Sequence, residues 1–85
     1  MAETDQETRG DGGHVLDARG LACPMPVLKA KKAIRAVAPG ETLTVRATDP
    51  GSVEDFKAFC EATGHALESN GESDGVFTFV IRKKR

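Results

Sequence analysis

The side chain of this 85-residue chain best suited to chemistry is the thiol of Cys23, which directly precedes Pro24. Pro24 opens a helical pattern, and proline is favoured at the first helical position because its missing N–H would have no partner there. Cys23 is therefore predicted to be the N-cap residue or its immediate neighbour. Because a helix N-terminus carries partial positive charge and free N–H donors, we expect the pKa of Cys23 to lie below that of a free cysteine. The pattern predicts a presented, activated thiolate.

The first helical turn, formed by Pro24, Met25 and Pro26, is predicted to support that thiolate. Two prolines within three residues fix the backbone directly after the sulfur. Pro26 is tolerated because first-turn N–H groups lack intrahelical partners anyway. The competing interpretation of Cys23 is a small buried hydrophobe at a strand–helix junction. No apolar stripe runs through residue 23, which favours the functional interpretation.

The second cysteine, Cys60, is predicted to pack in the core. It shares an apolar stripe with Val53 and Phe56 at helical spacing. A thioredoxin-type motif would require another cysteine three residues after Cys23, where a proline stands. The two cysteines are therefore expected to have different roles.

The two histidines, His14 and His65, are predicted to be surface residues of strands. A zinc site built from both histidines and both cysteines lacks any recognised ligand spacing, so no metal is expected. A catalytic dyad of Cys23 with a histidine stays open, because the sequence does not show which residues are spatial neighbours.

Hydrophobic periodicity predicts six secondary-structure elements. In chain order they are a strand over 15–18, a helix over 24–37, a strand over 41–48, a helix that starts at residue 50 or 53 and ends at 63, and two strands over 65–70 and 76–82. The last two strands are predicted to form a hairpin with its turn at 71–75. Crossover helices give right-handed β-α-β units. We therefore predict an α+β fold of order β-α-β-α-β-β, a two-layer α/β sandwich with two helices on one face of a four-stranded mixed sheet.

Local signals mark the ends of the second predicted helix. Gly64 is a natural C-terminal stop. Two alternative signals mark its start: Asp49 before Pro50, as an N-cap followed by a first-turn proline, or a capping box of Ser52 with Asp55. Both interpretations assign these acidic residues to the capping of their own helix.

One domain over residues 14–85 follows a segment over residues 1–13 that lacks apolar periodicity and is predicted to be a disordered N-terminal tail. The chain is 39% hydrophobic and 29% charged, with a net charge of −1, which is ordinary for a soluble globular protein. No apolar run is long enough to span a membrane, and the acidic first residues are unlike a signal peptide. Because the cysteines do not form the pattern of a disulfide framework, a cytoplasmic location is expected.

The first predicted helix is basic on its outer side. Lys29, Lys32 and Arg35 lie off its apolar stripe and, with Arg19, form a candidate docking surface for partners beside the sulfur; ordinary solvated surface is the alternative. The basic run Arg82–Arg85 is typical of a solvated terminus, with docking onto an acidic protein or nucleic acid as its alternative. No phosphate-binding glycine loop or aromatic-plus-basic surface is present, so direct nucleic-acid binding is not expected.

The pattern Leu16-Asp17-x-x-Gly20-Leu21-x-Cys23-Pro24-x-Pro26 resembles the signature of the TusA/SirA sulfur-carrier family. The resemblance extends over residues 14–85 and implies the same two-layer fold. It also implies that Cys23 carries sulfur as a persulfide, received from a cysteine desulfurase and passed to an acceptor protein, for example towards tRNA thiolation. The pyridoxal cofactor would belong to the desulfurase, so this chain is expected to need none. Exchange of partners favours a monomer. A non-catalytic regulatory or RNA-associated module is the alternative function.

Overall fold

The computed structural model describes residues 6–8 and 13–85. Its elements in chain order are β1 (Gln6–Thr8), β2 (Gly13–Ala18), α1 (Met25–Ala33), a 3₁₀ turn (Ile34–Ala36), β3 (Thr42–Ala47), α2 (Ser52–Thr63), β4 (Ala66–Ser73) and β5 (Val76–Arg82). The predicted disordered tail lies outside the described residues, apart from β1 and the first residue of β2. The strand β1 was not predicted, because three polar residues carry no apolar alternation.

The strands form one sheet in the order β1-β2-β3-β5-β4. β2 and β3 are parallel, and the pairs β1–β2, β3–β5 and β4–β5 are antiparallel. α1 contacts β2 and β3, whereas α2 contacts β4 and β5. The predicted two-layer α+β sandwich with a four-stranded mixed sheet and two helices is therefore confirmed, and β1 adds a short edge strand to it.

Alternation in β3 and β5 builds the core between the two layers. Leu43 and Val45 point inward from β3, and Phe79 and Ile81 do so from β5; each is at most 1% exposed. Phe56 of α2 stacks on Phe79 with ring centroids 4.6 Å apart. Full burial of one such side chain is worth about 1.5–3 kcal/mol, so this contact fixes α2 on the sheet.

The two helices end differently. α1 is shorter than predicted, because the chain tightens into the 3₁₀ turn after Ala33 and is extended by Val37. α2 ends as predicted at Gly64, which adopts the left-handed conformation with φ of 86°. Its N–H donates to Cys60 O at 2.9 Å. Glycine suits this position because it has no Cβ to clash.

The hairpin of β4 and β5 has a tighter turn than predicted. Only Asp74 and Gly75 separate the strands, and both have positive φ, of 53° and 81°. Positive φ at both residues is what a two-residue turn needs in order to match the twist of its two strands. Residues 71–73, expected in the turn, continue β4 instead. Cross-strand pairing of Gly71 with Thr78 and Glu72 with Phe77 accounts for the extension.

Candidate functional site

Two loops meet at one edge of the sheet and position Cys23. Because β2 and β3 run parallel with Ala18 opposite Ala47, the chain leaves both strands at the same edge. The first loop leads to α1 and the second to α2. Gly20 N–H donates to Thr48 Oγ1 at 2.9 Å, and Cys23 N–H donates to Asp49 Oδ2. These bonds hold the two loops together at residue 23.

Cys23 directly precedes the N-cap residue of α1, in agreement with its predicted position at or next to the N-cap. α1 begins at Met25, with Pro24 as its N-cap, after a cis peptide bond between Cys23 and Pro24. Met25 N–H already donates to Ala22 O at 2.8 Å, and neither Pro24 nor Pro26 has an N–H. The first turn therefore contributes a stiff backbone beside the sulfur, with Pro26 buried beneath it.

The Cys23 side chain is exposed, and its thiol donates a hydrogen bond to Asp55 Oδ2 in the first turn of α2. Gly51, the N-cap of α2, lies against the same side chain. A Cβ added at Gly51 would be 3.5 Å from Cys23 Cβ and 3.7 Å from Cys23 Sγ. The thiol thus rests on the start of α2 as well as preceding α1.

Two carboxylates raise the pKa of Cys23 from its ordinary value of 9.0 to about 11. The largest cause is the hydrogen bond to Asp55, followed by loss of water around the sulfur and by the negative charges of Asp55 and Asp49. The prediction of a lowered pKa is therefore wrong for the free protein. The positive end of a helix is equivalent to about half a unit charge, whereas each carboxylate carries a whole one.

The capping roles predicted for Asp49, Ser52 and Asp55 are also wrong. α2 has no side-chain hydrogen bond at its N-cap. Asp49 accepts from Cys23 N–H and, at 3.2 Å, from Gly51 N–H, whereas Asp55 accepts from the Cys23 thiol. Ser52 Oγ is buried and has no hydrogen-bond partner among the described residues. Asp55 therefore binds the neighbouring loop, whereas Asp49 joins that loop to the start of its own helix.

The four predicted docking residues do not lie together. Arg19 lies in the loop beside Cys23 and forms a bidentate pair with Asp17, both contacts at 2.8 Å. This guanidinium lowers the pKa of Asp17 to about 2. Lys32 is in the last turn of α1, about 10 Å along its axis from the first turn, and Arg35 lies in the 3₁₀ turn. The expectation that the docking residues flank the sulfur is therefore wrong for Lys32 and Arg35. Lys29, which is half-buried, lies in the middle of α1.

Neither histidine can form a dyad with Cys23. His65 follows α2, whose 12 residues place it about 18 Å from the start of that helix. His14 is the second residue of β2, and Cys23 follows the opposite end of that strand, which lies about 13 Å from His14. Cys60 is 6% exposed within the core cluster, which confirms its predicted packing role. The chemistry of the site therefore depends on Cys23 and its two carboxylates.

His65 belongs to a second charged region, which we call the basic end: Lys32, Arg35, His65, Lys83 and Lys84. A groove of about 440 Å³ lies there between α1 and α2. His65 Nδ1 accepts from Lys84 N–H at 3.0 Å, and Lys83 Nζ donates to Val37 O at 2.8 Å. Arg82 pairs with Glu68 at 2.5 Å. The basic run is thus bound to the fold and is not a free terminus.

Within the described ranges, no group of three or more histidine, cysteine, aspartate or glutamate side chains is placed to hold a metal ion. The same residues include no helix that is long and apolar enough to cross a membrane.

Comparison with known proteins assigns the family. The profile described as "Sulfurtransferase TusA" matches residues 14–83. A putative sulfur carrier protein of Neisseria meningitidis serogroup A is 54% identical over 69 residues, which are 81% of this chain and 93% of that protein. The sulfur carrier protein TusA of Allochromatium vinosum is 49% identical over 83 residues, covering 98% and 99% of the two chains.

The fold agrees with this assignment. The crystal structure of a SirA-like protein from Desulfitobacterium hafniense matches with a TM-score of 0.73 at 29% identity, covering 84% of this chain and 97% of that chain. The profile match spans both loops at Cys23 and leaves out only β1, the first residue of β2 and the last two residues among those that the structure describes. On these findings, the chain belongs to the TusA family of sulfur carriers.

Proposed function

We propose that this protein carries sulfur as a persulfide on Cys23, accepting it from a cysteine desulfurase and passing it to an acceptor protein in a sulfur relay such as tRNA thiolation. The observation that supports this most directly is the geometry of Cys23. Its thiol is exposed at an edge of the fold, yet two loops hold its backbone in place. A carrier needs a sulfur that two different protein partners can reach in turn.

The proposed loading step is a thiol exchange. The sulfur of Cys23 attacks the outer sulfur of the donor's persulfide, a new S–S bond forms, and the S–S bond within the donor breaks. Cys23 loses its thiol proton, and the departing donor cysteine gains one, so the products are a Cys23 persulfide and a donor thiol. In the unloading step an acceptor cysteine attacks the outer sulfur in the same way, and Cys23 leaves as the thiol.

The chemistry requires no cofactor in this chain, because the desulfurase mobilises the sulfur. We further propose a cytoplasmic setting, where reducing conditions keep Cys23 free to react. The carrier acts as a monomer, since both partners need access to the same exposed edge. Pro24, Met25 and Pro26 keep the sulfur in position through their stiff backbone.

The docking surface is proposed to combine Arg19, close to the sulfur, with Lys29, Lys32 and Arg35 along α1. A partner that contacts Arg19 also covers Cys23, whereas contact with Lys32 and Arg35 requires a partner that extends over the whole helix. Met25 and Leu28, which are 43% and 46% exposed, provide apolar area on α1 between these two places. Partner interfaces commonly combine such an apolar centre with a charged rim.

The decisive experiment is intact mass spectrometry after incubation with a cysteine desulfurase and cysteine. We expect a one-sulfur increment that a reductant removes and that peptide mapping assigns to Cys23. Cys60→Ala is the matched control, because it removes the other thiol and should retain the increment. Absence of the increment with several desulfurases would favour the non-catalytic regulatory or RNA-associated module.

A further inference from the structure

The hydrogen bond between the Cys23 thiol and Asp55 favours the protonated sulfur, whereas the proposed function requires the thiolate. In thiol exchange the thiolate is the nucleophile. Cys23, however, donates its proton in a hydrogen bond to Asp55 Oδ2, and Asp49 receives the backbone N–H of the same residue. The free carrier therefore holds its sulfur in the less reactive form.

Two features of the site indicate what would release the thiol. Asp55 is only half-buried and Cys23 is exposed, so a docking protein can reach both. The charged groups that act on the sulfur are Asp55 and Asp49, and Arg19, in the same loop as Cys23, is already bound to Asp17. A cationic side chain placed beside Asp55 by a partner would compete for its carboxylate and offset its charge.

We propose that Asp55 is a positioning residue that keeps the Cys23 thiol protonated while the carrier is free, and that the protein loading Cys23 presents a cationic side chain to this carboxylate. This inference rests on the proposed function, since it concerns the loading of the same sulfur. Charge complementarity beside the sulfur then selects the partner: a donor that places acidic side chains directly against Asp49 and Asp55 would be repelled, even where its other acidic groups suit the basic docking residues. The proton released from Cys23 is balanced by the one that the departing donor thiolate takes up.

The first test measures alkylation of Cys23 by iodoacetamide, a neutral reagent, as a function of pH. Peptide mass spectrometry distinguishes Cys23 from Cys60. The variants are Asp55→Asn, which keeps the shape of the side chain, and Glu54→Gln, which removes one exposed charge from the same helical turn without touching the thiol. Thermal midpoints verify that both variants are folded, and Asp55→Ser serves as a second variant if Asp55→Asn is not.

We expect the profile of Asp55→Asn to shift to lower pH, while Glu54→Gln follows the wild type. The shift should be smaller than the full rise to about 11, because the loss of water around the sulfur and the charge of Asp49 remain in this variant. A shift of about one pH unit raises the thiolate fraction about tenfold below both pKa values. Because nucleophilicity falls with pKa, with a Brønsted coefficient of about 0.4–0.5, the net increase in rate near pH 8 is then about threefold. Superimposed profiles for Asp55→Asn and the wild type would overturn the role of Asp55.

The second test asks whether the site favours a cation, without requiring an identified partner. Cys23 is modified with aminoethyl methanethiosulfonate, which is cationic, and with sulfonatoethyl methanethiosulfonate, which is anionic, at low ionic strength. We expect the cationic reagent to react faster with the wild type and with Glu54→Gln. The ratio of the cationic to the anionic rate should fall in Asp55→Asn towards the ratio measured with a small free thiol, although the charge of Asp49 remains, and an unchanged ratio would overturn the proposed contact.

Both tests are performed without a desulfurase, so their outcome is independent of persulfide formation. If Asp55→Asn behaves like the wild type in alkylation but Cys23 still gains sulfur, the carrier function stands and the role of Asp55 is wrong. If Asp55 controls alkylation but no sulfur is gained with any desulfurase, the proposed function is wrong while the thiol–carboxylate contact remains.

Discussion

At one end of the helical layer the Cys23 thiol faces the carboxylates of Asp49 and Asp55, and at the other end the imidazole of His65 faces Lys83 and Lys84. Each group has neighbours with the same charge that it would itself acquire. The pKa of Cys23 is raised, chiefly by its hydrogen bond to Asp55. The pKa of His65 is lowered, chiefly by loss of water and then by the two lysines. Both groups are therefore held neutral near pH 7.

The two ends differ in what holds the group neutral. At the thiol end the main cause is a contact with one exposed-edge carboxylate, which a docking protein can displace. At the basic end His65 is half-buried, its ring lies 5.8 Å from that of Phe59, and its Nδ1 accepts from Lys84 N–H. Neighbouring charges thus favour the neutral form of both groups. A docking partner can reverse this effect at Cys23, whereas at His65 the surrounding contacts are part of the packed structure.

The largest effect is expected from exchanging the two cysteines for residues of similar size. Cys23→Ser should abolish desulfurase-dependent sulfur loading with little change in thermal midpoint, because a hydroxyl cannot carry transferable sulfur and the side chain is exposed. Cys60→Ala should retain loading and cost about 1 kcal/mol of stability, because it leaves a small void in the core. Loss of loading in folded Cys60→Ala, or persistence of loading in Cys23→Ser, would show that Cys23 is not the residue that carries the sulfur.

An intermediate effect is expected from reversing charges at the two ends. Arg19→Glu should slow sulfur loading by a desulfurase several-fold and weaken its salt dependence, because a rim charge acts mainly on association. Lys29→Glu, Lys32→Glu and Arg35→Glu should have smaller effects that decrease with distance from Cys23. Loading rates measured across an ionic-strength series test this order, and equal rates for all four variants and the wild type would make these residues ordinary solvated surface.

The elements that build the two ends were largely predictable, because their signals are local. The alternation of apolar and polar residues predicts β3, and Gly64 predicts the end of α2. The β-α-β unit also implied that the loops after β2 and β3 leave the same edge of the sheet. That much could have directed attention to the loops over residues 19–24 and 48–51.

The contacts at Cys23 were not predictable in the same way. Asp49 and Asp55 both stand where helix-capping residues are favoured, and a local pattern assigns them to their own helix. Their partner in the structure, Cys23, is 26 and 32 residues away in the chain. Because periodicity and capping signals act within a few residues, no pattern in the sequence distinguishes a cap from a contact across the fold.

A smaller effect is expected from pH at the basic end. Since the pKa of His65 is lowered in the folded protein, its contribution to stability is present above about pH 6.5, the ordinary value for histidine, and is lost as the pH falls through the folded-state pKa. The thermal midpoint of the wild type should therefore fall between pH 7 and pH 5 by more than that of His65→Asn. Midpoints of the wild type and His65→Asn that fall in parallel over this range would show that the pKa of His65 is not lowered in the folded protein.

The smallest effect is expected at Ser52, the buried first residue of α2. This residue is 1% exposed, and its buried hydroxyl has no hydrogen-bond partner among the described residues. Ser52→Ala removes this unsatisfied group and introduces a better helix former, so we expect stabilisation of about 1 kcal/mol, which raises the midpoint by about 4–8 °C. Ser73→Ala, at an exposed position, is the control and should leave the midpoint unchanged; destabilisation by Ser52→Ala would reveal a partner for the hydroxyl.

The contacts of the last residues with the start of β3 determine how a fusion partner linked after Arg85 would be placed relative to Cys23. Lys83 pairs through its backbone with Gly40 and Glu41, just before β3, at 2.8 and 2.9 Å. Cys23 lies beyond the opposite end of β3, whose six residues span about 20 Å. A fusion partner or a solid support linked after Arg85 therefore leaves the sulfur facing outward. A flexible linker long enough to cross this distance would give an attached acceptor domain a high effective concentration at the sulfur, so that sulfur delivery becomes an intramolecular event.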